Sequence, residues 1–188
     1  MYTLFIDTHS EFITVALLND NKVFLSEKES NQSHSIYLVP MINELMVDNN
    51  ISFKDIKNVV AVNGPGSFTG IRIGLSVVKT ISYSLNIPVY LVSSLESQLV
   101  SSSLNSDKMA VISDSKGYYI SVFDKNNNEV IPEVYMEEID ELRNKYNILD
   151  GKYDISKIVH YALKKESTNV FSIKANYVKT IEVMNDRK

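Results

Sequence analysis

The stretch NGPGSFTGIRIG, Asn63 to Gly74, decides how this sequence folds. It stands between an apolar run, VVAV (Val59 to Val62), and a segment with helical spacing, LSVVKTISYSL (Leu75 to Leu85). A strand, a glycine loop and a helix N-terminus can together form an anion site from backbone N–H groups and the positive end of the helix dipole. The spacing here argues against that use. Gly64, Gly66 and Gly70 give G-x-G-x-x-x-G rather than G-x-G-x-x-G, and no glycine precedes Lys79-Thr80, so neither the dinucleotide nor the P-loop pattern is met. Pro65 fixes φ, the glycines admit positive φ and close backbone approach, and Ser67 or Thr69 can cap the helix that follows. The stretch reads as a strand-to-helix turn.

Outward from this turn the chain alternates. YTLFID, EFITVALLND and KVFLSEK read as three short strands joined by the turns DTHS and NDNK. Serine and asparagine between Asn31 and Ser35 supply caps for a helix, IYLVPMINELMVD. IKNVVAVN is then a buried strand, a helix runs from Phe68 to Leu85, and IPVYLV is another strand. The order is βββαβαβ. A serine-rich segment, SSLESQLVSSSLNSDK, reads as a helix fading into a linker, which sets a boundary near Asn105 between lobes of residues 1–104 and 105–188.

Beyond that boundary the opening pattern returns at a constant offset of about 107 residues. Asp7 aligns with Asp114; Phe12, Ile13, Thr14 and Val15 align with Tyr119, Ile120, Ser121 and Val122; Asn19, Asn21 and Val23 align with Asn126, Asn128 and Val130. The expectation is a duplication: two lobes of one ancestry, the second shortened.

Composition bounds the function. The 188 residues are 44% hydrophobic and 22% charged, which is globular, and no apolar run approaches the roughly 20 residues of a membrane span. No secretory leader is recognisable after Met1, so a cytoplasmic protein is expected. The absence of cysteine excludes disulfides, thiolate zinc sites and a cysteine nucleophile. A net charge of −4 argues against a chain that grips nucleic acid alone.

Duplicated lobes that open with three antiparallel strands and an acidic turn, then alternate helices with strands, resemble the actin/hexokinase/Hsp70-like ATPase fold, an α/β class. FIDTHSEFITVALL, then H-S-x-x-L-V-P-M-I at His34 to Ile42, then GPGSFTG-x-R-x-G narrows the resemblance to the TsaB (YeaZ) family, non-catalytic subunits in bacterial tRNA threonylcarbamoyladenosine synthesis. That likeness covers roughly residues 1–100. The second lobe departs from it, with DSKGYYISV where the family carries a DARxxEVY-like turn, and Asn176, Tyr177, Val178 and Lys179 where it ends in P-x-Y-L-R.

In nucleotide-using members of this fold, the acidic turn after the first strand positions Mg²⁺ and a phosphate. Asp7, Thr8, Ser10 and Asp114 occupy those places here, but DTHS lacks the glycine through which a main chain approaches a phosphate, so they read as vestiges. The junction motif comprises Gly64, Pro65, Gly66, Ser67, Phe68, Thr69, Gly70, Arg72 and Gly74. The histidines, His9, His34 and His160, form no local metal motif, and Ser67 has no base paired with it in sequence.

The two helices carry more apolar surface than one sheet needs. In the second, Ile73, Val77, Ile81, Leu85, Val78, Ile71 and Leu75 span an arc of about 200°. In the first, only Tyr37, Asn43, Glu44 and Asp48 are on the wet side, and Pro40 is expected to bend it. The expected partner surface is therefore His34, Leu38, Met41, Ile42 and Leu45 with Ile71, Leu75 and Val78. The resemblance implies a scaffold that pairs with the catalytic paralogue TsaD, is joined by the ATPase TsaE, forms a homodimer when alone and meets tRNA only through the complex. ATP/Mg and threonylcarbamoyl-adenylate are then used by the complex, with no cofactor and no catalytic residue in this chain. The alternatives are a stand-alone small-molecule kinase or ATPase of the same fold, which would need glycine-rich phosphate turns in both lobes, and a peptidase, which would need a metal motif or a nucleophile.

Overall fold

The computed structural model describes residues 1–19, 22–30 and 33–179. The repeat match at Asn21, the middle of the NDNK turn and the proposed cap at Asn31 lie outside them. The first sheet takes β1 (Tyr2–Asp7), β2 (Phe12–Asn19), β3 (Lys22–Glu29), β4 (Ile56–Val62) and β5 (Val89–Val92) in the order β3-β2-β1-β4-β5. β1 to β3 form an antiparallel meander, while β4 runs parallel to β1 and β5 parallel to β4. Between them lie α1 (His34–Asp48), which runs through Pro40 on its exposed face, and α2 (Phe68–Leu85).

After α3 (Ser94–Ser101) the second sheet repeats the plan. β6 (Lys108–Asp114), β7 (Gly117–Phe123) and β8 (Glu129–Met136) form a second meander, α4 (Asp140–Lys145) follows, and β9 (Asn147–Ile148) lies parallel to β6. The order β8-β7-β6-β9 thus copies β3-β2-β1-β4. Asp7 closes β1 and Asp114 closes β6, the two aspartates that the repeat aligns. This is the duplicated α/β arrangement of the actin/hexokinase/Hsp70-like class, with a second lobe reduced to short connections.

The alternation of side chains along the strands explains the layers. Leu4, Ile6, Val59 and Ala61 point to the face covered by α1 and α2, whereas Phe5, Val60 and Val62 point to the other. That other face is covered by α5 (Ile155–Ala162), through Ile158, Val159 and Ala162. The chain therefore returns to the first sheet after finishing the second. Thr168 N–H donates to Val89 O at 2.7 Å, and Ile173, beyond a 3-10 turn at Val170–Ser172, enters the core under α2. A boundary at residues 104 and 105 separates the two sheets, but 105–188 is not one lobe, because the first sheet's second apolar face is left for a later segment to cover. Among the described residues no helix is long and apolar enough to cross a membrane.

The expected partner surface is corrected by the same packing. Leu38 and Val78 are 0% exposed, and Met41, Ile42, Leu45, Ile71 and Leu75 are buried with them in the core over the sheet. The wide apolar arcs arise because α1 and α2 lie side by side, so each buries a flank as well as its underside. The C-terminal segment adds a third wall: Ile73, Val77 and Ile81 pack with Val170 and Ala175 on the same core, and Phe171 meets Tyr83 edge-on at 5.8 Å. What α1 leaves in solvent is the opposite arc, Ile36 (64% exposed), Val39 (55%) and Val47 (64%). The outer arc of α2 is polar, with Arg72, Ser76 and Thr80.

Candidate functional site

The C-terminal ends of β1 and β4 face the second sheet across a cleft of about 680 Å³, walled by His9, Ser67 and Phe68 on one side and by Asp114 and Tyr119 on the other. At open α/β sheets this is where ligands are expected, beyond the carboxyl ends of the parallel strands. The groups that would meet a phosphate or a metal there are already engaged with one another.

Asp7 is buried at 4% exposure. One carboxylate oxygen accepts from the backbone N–H of His9 at 3.0 Å and from His9 Nδ1 at 2.7 Å, an Asx turn closed by an ion pair. On the far side of the ring, Nε2 lies 3.3 Å from Tyr153 Oη, and the two rings stack at 5.7 Å. Tyr153 has one hydroxyl proton, and it goes to the carbonyl of Ser94 at 3.2 Å. The Asp7 carboxylate therefore bonds the ring at Nδ1, and Nε2 meets the Tyr153 hydroxyl. Burial pulls the His9 pKa down, but the charge and hydrogen bond of Asp7 outweigh it and the net shift is upward. Burial, aided by Asp7, pushes Tyr153 well above its ordinary value and keeps it a donor. The Asp7 oxygen that would meet a divalent metal is hydrogen-bonded to His9 instead.

The neighbouring positions are engaged too. Thr8 Oγ1 donates to the carbonyl of Gly70 at 2.8 Å, and Ser10 Oγ accepts from the N–H of Phe12 at 3.1 Å. His34 is buried rather than exposed: at 4% exposure its ring bonds Ser30 Oγ at 3.0 Å and the carbonyl of Ser10 at 2.9 Å, tying the start of α1 to the first turn. In the junction motif the Ser67 N–H donates to the carbonyl of His9 at 2.6 Å, and Ser67 Oγ caps α2 by accepting from Gly70 N–H at 3.2 Å. A β-carbon at Gly66 would overlap the His9 carbonyl, and one at Gly70 or Gly74 would overlap Thr8. These glycines let α2 and its loop rest directly on the β1–β2 turn, and the amides of Ser67, Gly70 and Ile71 bond protein oxygens. Gly64 and Pro65 offer their carbonyls to Ser94 at the head of α3. Thr69 is exposed in the first turn of α2, where Arg72 stacks over Phe68 at 4.1 Å and donates to Tyr177 Oη at 2.9 Å. Across the cleft, Asp114 pairs with Lys179 at 3.4 Å. The Asp7 Oδ1 and Thr8 hydroxyl that would meet Mg²⁺ and a phosphate in this fold bond protein groups here.

Glu133 bridges the two sheets outside the residues that line the cleft. It sits beside a register irregularity of β8, accepts from Ser93 Oγ at the head of α3 and from Asn176 Nδ2, and so joins both sheets and the C-terminal segment. Burial raises its pKa. Sequence reading missed His9, Tyr153 and Glu133. The D-T-H spacing is the signal for His9, because an Asx turn brings residue i+2 back onto the aspartate; nothing local marks Tyr153 or Glu133. Among the described residues no group of three or more His, Cys, Asp or Glu side chains is placed to hold a metal ion.

Comparison with known proteins places this architecture. The family model described as TsaD, tRNA N6-adenosine threonylcarbamoyltransferase, matches residues 24–181. A Buchnera aphidicola (subsp. Baizongia pistaciae) protein named tRNA threonylcarbamoyladenosine biosynthesis protein TsaB is 39% identical over 82 residues, covering 44% of this chain and 37% of the relative. A Bacillus subtilis protein of the same name is 37% identical over 99 residues, covering 51% of this chain and 42% of the relative. The matched part thus spans about two-fifths of either relative. The solved structure of YeaZ from Pseudomonas aeruginosa superposes with a TM-score of 0.77 at 18% identity, over 94% of this chain and 100% of that one, which establishes the shared fold. From the family model, the two relatives and the matching fold together, the chain belongs to the threonylcarbamoyltransferase family and, within it, to the TsaB (YeaZ) branch.

Proposed function

We propose that this chain is a non-catalytic scaffold subunit in the synthesis of N6-threonylcarbamoyladenosine at adenosine 37 of tRNA. Its relatives' names supply the pathway. The observation that supports a scaffold rather than an enzyme is the Asp7–His9–Tyr153 clasp, which ties the cleft carboxylate to a protein side chain, beside a loop whose Ser67 amide bonds the His9 carbonyl. In this reading the chain works in the cytoplasm and pairs with the catalytic paralogue TsaD. The ATPase TsaE joins the pair, and the partners handle ATP/Mg, threonylcarbamoyl-adenylate and tRNA. The exposed arc of α1, Ile36, Val39 and Val47, is the surface offered to the paralogue, and to a second copy when the chain is alone.

The test is reconstitution with calorimetry. Tagged protein should retain the catalytic paralogue from its native lysate and be required for tRNA modification by it, while binding ATP–Mg²⁺ no more tightly than about 1 mM by itself. A low-micromolar dissociation constant for the isolated chain would overturn the scaffold reading and favour a stand-alone kinase.

A further inference from the structure

At the pole of the first sheet opposite the cleft, where β1 and β4 begin and β2 ends, lies a second cavity of about 430 Å³. It falls within the range of about 300–1,000 Å³ usual for small-molecule sites. One wall is apolar: Leu18 and Val23 from the sheet, Val159 and Leu163 from α5 and the residue after it. The rim is basic, with Lys22, Lys57 and His160. In a chain of net charge −4, no aspartate or glutamate is among the described residues that line it. Asp55, whose field reaches Lys57, has its carboxylate held by Ser52 N–H and Oγ at 2.8 and 2.7 Å.

The donors are available. Lys57 Nζ gives one proton to the carbonyl of Lys54 at 3.0 Å and keeps two. His160 Nδ1 lies 2.7 Å from the carbonyl of Ser156, which can only accept, so Nδ1 holds a proton and Nε2 is the free ring nitrogen. Once protonated, Nε2 adds a charged donor to those of the lysines. Asn58 Nδ2 reaches Thr3 Oγ1 at 3.5 Å, which leaves the Asn58 carbonyl oxygen as an acceptor beside the apolar wall. Two lysines and an imidazole around one opening suit a compact dianion, while four aliphatic side chains suit a flat or aliphatic body attached to it.

We infer that this cavity is a binding site for a phosphate monoester with an apolar or planar body, of the nucleoside monophosphate type, with its phosphate at Lys22, Lys57 and His160. The site is independent of the clasp and of any scaffold role, since it occupies the other end of the sheet.

The probes are AMP, glycerol 3-phosphate, inorganic phosphate and adenosine, titrated into the full chain at low ionic strength and followed by calorimetry and by the amide and ring resonances of Asn58, Val159 and His160. AMP should saturate below about 1 mM and bind at least about fivefold more tightly than glycerol 3-phosphate or inorganic phosphate, and adenosine should not saturate. Lys57→Ala and Lys22→Ala should each weaken AMP by about tenfold with the melting temperature unchanged, and His160→Gln should weaken it as well. Shifts confined to the cleft around His9, equal binding of AMP and adenosine, equal binding of AMP and inorganic phosphate, or lysine variants that bind AMP as before would each overturn the assignment.

Discussion

His9 is a buried ring bonded to a carboxylate two residues away, and its titration has a definite sign. Because its pKa is raised on folding above the ordinary 6.5, the protonated form is favoured by the native state. The stability it brings is fully present below pH 6.5 and is lost as the pH rises through the folded value. Among the described residues, Asp7 and Tyr153 face the ring directly, and Glu27 lines the cavity beside it. Melting curves between pH 5.5 and 9 should fall with rising pH for the native chain and flatten for His9→Asn. Tyr153→Phe keeps the stack and the Asp7 pairing, so its curve should still fall with rising pH. At the junction, Gly70→Ala drives a methyl into the carbonyl of Thr8. Chemical denaturation should show a loss of about 1–3 kcal/mol, the usual cost of overpacking.

For the helices, the sequence carried the arcs but not their direction. An amphipathic period reports which residues share a side, and the two stripes named from it are real faces. It does not report that a second helix and a later segment lie alongside, which is why Leu38 and Val78 were read as surface while both are fully buried. The strands were more legible, since β1 to β5 needed only alternation and turns, and the repeat located β6 and β7. Within the candidate site the glycine turn was readable because its constraint is local. Tyr153 was not, because its partner is 144 residues distant. The corrected faces give a direct experiment. Ile36→Asp and Val39→Asp place a charge in water and should change stability by no more than about 0.5 kcal/mol, yet abolish retention of the catalytic paralogue. Leu38→Asp and Val78→Asp place an unpaired charge in the core and should yield no folded protein by circular dichroism. Normal pull-down by the first pair would move the partner surface off α1.

As a whole, the molecule is two sheets bound by a chain that crosses between them twice. α3 docks on the second sheet through Gln98, whose amide exchanges two hydrogen bonds with the backbone of Val111 at 3.0 and 3.1 Å. α5 then returns to the first sheet. The first sheet is therefore not an autonomous unit: a chain ending at Leu149 would leave Phe5, Val60, Val62 and Val92 uncovered. Such a truncation should be insoluble or bind hydrophobic dyes strongly, and adding residues 150–179 as a separate peptide should restore a cooperative melt.

That return has a meaning in time. A ribosome releases the strands of the first sheet early and α5 late, and at about 5–20 residues per second the roughly 70 residues from Val92 to Ala162 take on the order of 4–14 s to be made. For that interval a finished-looking sheet waits with one oily side open, at the stage of synthesis when a nascent chain is most exposed to aggregation and to chaperone capture. Slow codons placed between the two would lengthen the wait without altering a single residue, and the yield of soluble protein should fall with them.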